Sequence, residues 1–146
     1  MARDKVLLLI DNTSFSERAA AFTVKLLKAN ENLSATLLFA VNNREILPDV
    51  PGAGLVSKQE LLAFFQEEAE RAFRRALAVF QAEGFGVKTL VDYGDPVEVV
   101  TRLVEQEGYC LLVLGGKETD NRLNYILSSN AYRLSNLLDI PMVIVK

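Results

Sequence analysis

A chain of 146 residues, half of them apolar and 24% charged, has the length of one domain and enough nonpolar side chain for a full core, which excludes a disordered chain. The 16 Lys and Arg against 19 Asp and Glu leave a formal charge of −3, the wrong sign for a surface that neutralises nucleic-acid phosphates. Histidine is absent, so a Ser-His-Asp triad is excluded and the commonest metal ligand is missing.

The chain opens on Met1 to Lys5, followed by five apolar residues, Val6 to Ile10, and then Asp11. That run is too short for a signal-peptide core, and no run approaches the ~18 residues of a membrane span. The expectation is a cytoplasmic protein with neither membrane nor nucleic acid as partner. Apolar on both faces, Val6 to Ile10 suits a strand buried in a parallel sheet. A capping pattern at Ser14-x-x-Glu17 then opens a helix with a stripe at Ala19, Phe22, Leu26 and Ala29, and Asn30 or Asn32 ends it. Leu37 to Val41 is a second covered strand. From Asn42 to Val56 there is no periodicity, and Pro48, Pro51, Gly52 and Gly54 mark a long, mobile loop.

Ser57-x-x-Glu60 starts the longest helix, with its stripe at Leu61, Phe65, Ala69, Ala72/Phe73, Ala76/Leu77 and Phe80, and Gly84 or Gly86 stops it. The mixed run Val87 to Val91 reads as an edge strand. Asp95-Pro96-Val97-Glu98 joins a capping acceptor to a proline at the first helical position; Val97, Val100 and Val104 form the stripe, and Gly108 ends it. Cys110 to Leu114 is another covered strand, in which the single cysteine, unable to form an internal disulfide or a CxxC site, is expected to be a small buried apolar residue. Ile126/Leu127, Ala131, Leu134 and Leu138 give a fourth helix, and Pro141 imposes an extended start on Met142 to Val145. Strands and helices therefore alternate from end to end, which predicts a single α/β domain over 1–146, a doubly wound parallel sheet with helices on both faces.

In such a sheet ligands collect beyond the carboxyl ends of the strands. Asp11 lies at one of these ends, where a carboxylate either accepts bonds from ribose hydroxyls or bonds local amides. Gly115-Gly116 lies at another, followed by a polar stretch and Ser128-Ser129-Asn130 at a helix start. Such a pattern cradles a phosphate, or is a tight turn and a cap.

Four features taken in order make the chain resemble the universal stress proteins: Lys5 to Asp11 with Ser14 and Ser16, Tyr93-Gly94-Asp95-Pro96, Cys110 to Gly115, and Ile140 to Lys146. The resemblance implies a single Rossmann-like domain of the adenine nucleotide alpha hydrolase kind, with five parallel strands in the order 3-2-1-4-5. It also implies a homodimer and a cytoplasmic role in surviving starvation or other stress; with Met142 to Val145 at the sheet edge in that order, pairing is expected through the last strand, and the role is expected to be exercised through protein partners. Nucleotide-binding members of that family carry Gly-x-x-Gly, nine residues, then Gly-Ser or Gly-Thr. Here Gly115 matches, the second glycine falls on Glu118, and the third on Ser128, followed by Ser129. Asp11 and Val41 match the ribose and adenine positions. The candidate site is thus a vestigial nucleotide site of Asp11, Val41, Gly115, Ser128, Ser129 and Asn130, with no catalytic residue and no metal ligand. The leading expectation is a non-enzymatic dimer without a cofactor; the alternative is a member that binds ATP with Mg, as a sensor or slow ATPase. A phosphoacceptor receiver domain fits less well, because Asp11 has no adjacent carboxylate and the Ser57 to Gln81 helix is too long.

Overall fold

The computed structural model describes residues 4–41, 58–118, 125–126 and 129–146. The elements are β1 (Asp4–Leu9), α1 (Ser14–Ala29), β2 (Leu33–Val41), α2 (Lys58–Ala82), β3 (Lys88–Tyr93), α3 (Pro96–Glu107), β4 (Leu111–Gly115), β5 (Lys117–Glu118), β6 (Tyr125–Ile126), α4 (Ser129–Leu137) and β7 (Met142–Val145). The main sheet has the order β3-β2-β1-β4-β7, parallel throughout. This is the expected order 3-2-1-4-5, and β3 is indeed an edge.

Period-two alternation explains why the strands are apolar on both faces. Val6, Leu8, Leu37 and Val113 point to one side, against Ala20, Val24 and Leu27 of α1 and Ala72, Ala76 and Phe80 of α2. Leu7, Leu38, Leu112 and Leu114 point to the other, against Val97, Val100 and Leu103 of α3 and Ala131 and Leu134 of α4. Among the described residues each face thus carries two helices.

The ends of α3 follow the sequence closely. Val97 N–H donates to the Asp95 carboxylate at 3.1 Å with Pro96 in the first turn, and Gly108 closes the helix at φ 72, a left-handed angle at which a Cβ is unfavourable.

Four local expectations are corrected. Ser14 is not the cap of α1 but its first residue; Thr13 holds the cap position and makes no side-chain bond to the helix, because its hydroxyl donates to the Asp11 carboxylate instead. The buried stripe of α1 is Ser16, Ala20, Thr23, Val24 and Leu27 with Ala19, whereas Phe22 and Leu26 are half-buried and Ala29 is exposed. Cys110 is exposed: it precedes β4, and its N–H and thiol donate to the Lys5 carbonyl at 2.9 and 3.3 Å. Ile126 is not helical, since Lys117↔Ile126 and Glu118↔Tyr125 pair as a two-stranded antiparallel ribbon. The loop expected from Asn42 to Val56, the Ser57 cap, Leu127 and Ser128 lie outside the described residues. Among the described residues no helix is long and apolar enough to cross a membrane.

Candidate functional site

The carboxyl ends of β1 and β4 and the first turns of α1, α3 and α4 surround a cavity of about 610 Å³. Asp11, Gly115, Ser129 and Asn130 of the expected site line it together, along with Thr13, Ser14, Ser16, Ala40 and Pro96. The first turns of α1 and α4 carry N–H groups without intrahelical partners, which favour electronegative atoms; α3 contributes Pro96, which has no N–H, and its Val97 N–H is already bonded to Asp95.

Asp11 is held by its own loop. Its backbone N–H donates to Ser16 Oγ at 2.7 Å, and Ser16 Oγ–H donates back to Asp11 Oδ1 at 2.9 Å. The Thr13 hydroxyl donates to the same oxygen. Local bonding and exposure therefore coexist: Asp11 is exposed and lines the cavity. Among the described lining residues it is the one ionisable side chain. Val41 is buried, its carbonyl accepts the Gly94 N–H at 2.7 Å, and the adjacent Ala40 lines the cavity in its place.

Gly115 has a steric reason to be glycine. A Cβ built there lies 2.7 Å from Phe15 Cβ and 2.9 Å from the Phe15 carbonyl carbon, so α1 approaches β4 too closely for any side chain. At Gly116 the nearest atom to such a Cβ is the Val145 carbonyl oxygen at 3.4 Å, an ordinary contact. The backbone of Glu118 runs in the β5–β6 ribbon.

The model of the universal stress protein family matches residues 2–146. The chain belongs to that family. Universal stress protein MJ0577 of Methanocaldococcus jannaschii is 27% identical over 148 residues, covering 92% of this chain and 91% of the relative. The solved structure of MJ0577 superposes with a TM-score of 0.77 at 24% identity, over 100% of this chain and 97% of the other. Universal stress protein UspA from Lactobacillus plantarum gives 0.75 at 20% identity over 100% of both chains. The universal stress protein from Archaeoglobus fulgidus in complex with dAMP gives 0.64 at 14% identity, also over 100% of both. All three share the fold.

In this universal stress protein one site-supporting residue had no signal in the local sequence. Arg133 of α4 donates to the Asp95 carboxylate through Nη2 at 2.7 Å and Nη1 at 3.3 Å. Asp95 therefore caps α3 and anchors α4, two helices whose first turns line the cavity. The hydrogen bond to Asp95 raises the pKa of Arg133, with burial opposing it. The pair spans 38 residues, a separation at which helical spacing and capping rules say nothing. No cluster of three or more His, Cys, Asp or Glu suited to a metal ion occurs among the described residues.

Proposed function

We propose that this universal stress protein is a non-catalytic cytoplasmic module that acts through protein partners, pairs with a second copy through β7, and accepts in its cavity no more than the nucleoside end of an adenine nucleotide. The observation that carries the reading is the character of the cavity wall. Asp11 offers a carboxylate acceptor suited to ribose hydroxyls, while no described lining side chain is a cation that would offset the charge of a triphosphate. The sequence supports the same view, since Glu118 and Ser128 stand where nucleotide-binding members carry glycine. The dAMP complex of the Archaeoglobus fulgidus relative supports an adenine nucleoside as the class of ligand.

Calorimetric titration with adenosine, AMP and Mg-ATP tests this. Adenosine is expected to bind at least as tightly as Mg-ATP. The variant Glu118→Gly/Ser128→Gly is expected to gain about tenfold for Mg-ATP, the equivalent of ~1.4 kcal/mol, because it restores glycine at both positions of the nucleotide-binding pattern and removes one negative charge. A second reading, an ATP-binding slow ATPase, draws support from Ser129 and Asn130 lining the cavity at the first turn of α4. Micromolar Mg-ATP affinity in the unaltered protein, with turnover, selects that reading instead.

The pairing proposal rests on β7. It is the last strand of the sheet, and all four of its residues are half-exposed. Val145 turns its carbonyl to β4, accepting the Gly116 N–H at 2.7 Å, so the Ile144 peptide groups face outward. An apolar edge of this kind invites a strand from another chain. Light scattering is expected to give a dimer at micromolar concentration and a folded monomer for Ile144→Pro, which removes an outward N–H at an edge position that tolerates proline. A monomeric unaltered protein rejects the pairing.

A further inference from the structure

We propose that Arg75 of α2 is a positioning residue for the cavity, holding the loop that carries Asp11 and so setting the affinity for a nucleoside. The inference rests on the nucleoside reading of the cavity given above. Arg75 does not line the cavity. Its guanidinium instead reaches Asn12, next to Asp11, and Glu17, next to Ser16. Nε donates to Glu17 Oε1 at 2.5 Å, and Nη1 donates to both the Asn12 carbonyl oxygen and Asn12 Oδ1, each at 3.1 Å. Asn12 is gripped a second time, its Nδ2 donating to Glu68 Oε2 at 3.5 Å, while Glu68 Oε1 accepts from Arg71 at 3.2 Å. Residues 68, 71 and 75 follow helical spacing, so one face of α2 makes the whole grip.

Charge alone is a poor explanation for this arrangement. The Arg75 and Glu17 side chains are 39% and 41% exposed, and an ion pair that open to water contributes little to stability. Geometry is the better one. A planar guanidinium presents donors in a fixed fork, and here the fork meets a helix side chain and both oxygens of a loop residue at once. The helix behind it is firmly seated, since Ala72 and Ala76 on either side of Arg75 are fully buried. With Asn12 drawn toward α2, its neighbour Asp11 keeps its carboxylate on the cavity side, where Ser16 and Thr13 complete its bonding. The loop therefore holds one geometry before any ligand arrives, and preorganisation of this kind raises affinity without adding a contact.

The test uses the full chain and two readouts. Hydrogen exchange followed at single amides by NMR reports the loop directly, because the Asp11 N–H is bonded to Ser16 Oγ. In Arg75→Ala the Asp11 amide is expected to exchange about tenfold faster, with the amides of Thr23 to Leu27 in the middle of α1 changed by less than about twofold. Unchanged exchange at Asp11, or an equal rise along all of α1, overturns the positioning role. Calorimetry with adenosine gives the second readout: Arg75→Ala is expected to weaken binding about fivefold in the unaltered background and not at all in an Asp11→Ala background. An equal loss in both backgrounds means that Arg75 does not act through Asp11. If the unaltered protein does not bind adenosine, the nucleoside reading and the affinity half of this proposal both fall, while the exchange result alone decides whether Arg75 holds the loop. Should Arg75→Ala fail to fold, Arg75→Lys takes its place. A single ammonium does not fill the Glu17 and Asn12 positions together, so about threefold faster exchange at Asp11 is expected, and exchange like that of the unaltered protein overturns the proposal.

Discussion

Replacing Gly115 with alanine is expected to destabilise the protein by about 3 kcal/mol and to lower its melting temperature by roughly 10 °C. The added Cβ meets Phe15 Cβ at 2.7 Å, its carbonyl carbon at 2.9 Å and its carbonyl oxygen at 3.0 Å. These atoms belong to the backbone and first side-chain carbon of a helix, and none is the yielding end of a long side chain. Relief requires α1 to move away from β4, and the buried Ala19, Ala20 and Val24 of α1 move with it. Gly116→Ala is the control: with its nearest contact at 3.4 Å it is expected to cost less than about 1 kcal/mol. Thermal melts of the two variants decide the matter, and equal melting temperatures refute the steric account. A confirmed difference has a functional corollary. The first glycine of the pair is then explained by helix packing, and its presence is no evidence for phosphate binding.

Phe80→Ala is expected to cost about 4 kcal/mol, within the usual range for emptying an aromatic site in a core. Phe80 is fully buried against the sheet face that α1 and α2 cover. Its carbonyl also accepts from the N–H groups of Glu83 at 3.1 Å and Phe85 at 3.0 Å, closing the end of α2 around Gly84 at φ 77. Alanine preserves these backbone bonds, so the loss is that of packing alone. Typical stabilities of about 5–15 kcal/mol leave little margin after such a loss. Urea denaturation is expected to show a lower midpoint with an unchanged slope. A midpoint within error of the unaltered protein contradicts the packing described for Phe80.

The sheet was legible in the sequence because a strand covered on both faces has to be apolar at every position. Val6 to Ile10 and Leu37 to Val41 meet that condition, and the mixed Lys88 to Tyr93 lies at the edge, where one side faces no strand. The start of α3 was legible because capping is chemistry between neighbours in sequence, as the Asp95 and Val97 bond illustrates. The face of α1 was not. Phe22 and Leu26 drew the expected stripe toward themselves, yet the helix buries the small residues Ser16, Ala20 and Thr23. Where α1 meets β4 the room is made by the strand, with Gly115 against Phe15, and an apolarity count does not register which face of a helix comes so near. In the cavity, Asp11, Gly115, Ser129 and Asn130 were brought together by the general rule for strand ends. The grips of Arg75 on Asn12 and of Arg133 on Asp95 were invisible, because they join residues 63 and 38 positions apart and depend on where whole helices come to lie.

The central place of β1 has a consequence for synthesis of the chain. Val6 pairs with Ala35 on one side but with Leu111 on the other, a separation of 111 − 6 = 105 residues. At a translation rate of about 5–20 residues per second, the edge of β1 that β4 will cover has no partner of its own for roughly 5–20 seconds after Val6 is made. A βαβ unit left half-built in this way offers the same invitation to a foreign strand that the finished molecule confines to its margin. That edge of β1 therefore stays uncovered until Leu111 to Gly115 leave the ribosome, and slower elongation lengthens the period over which it is exposed.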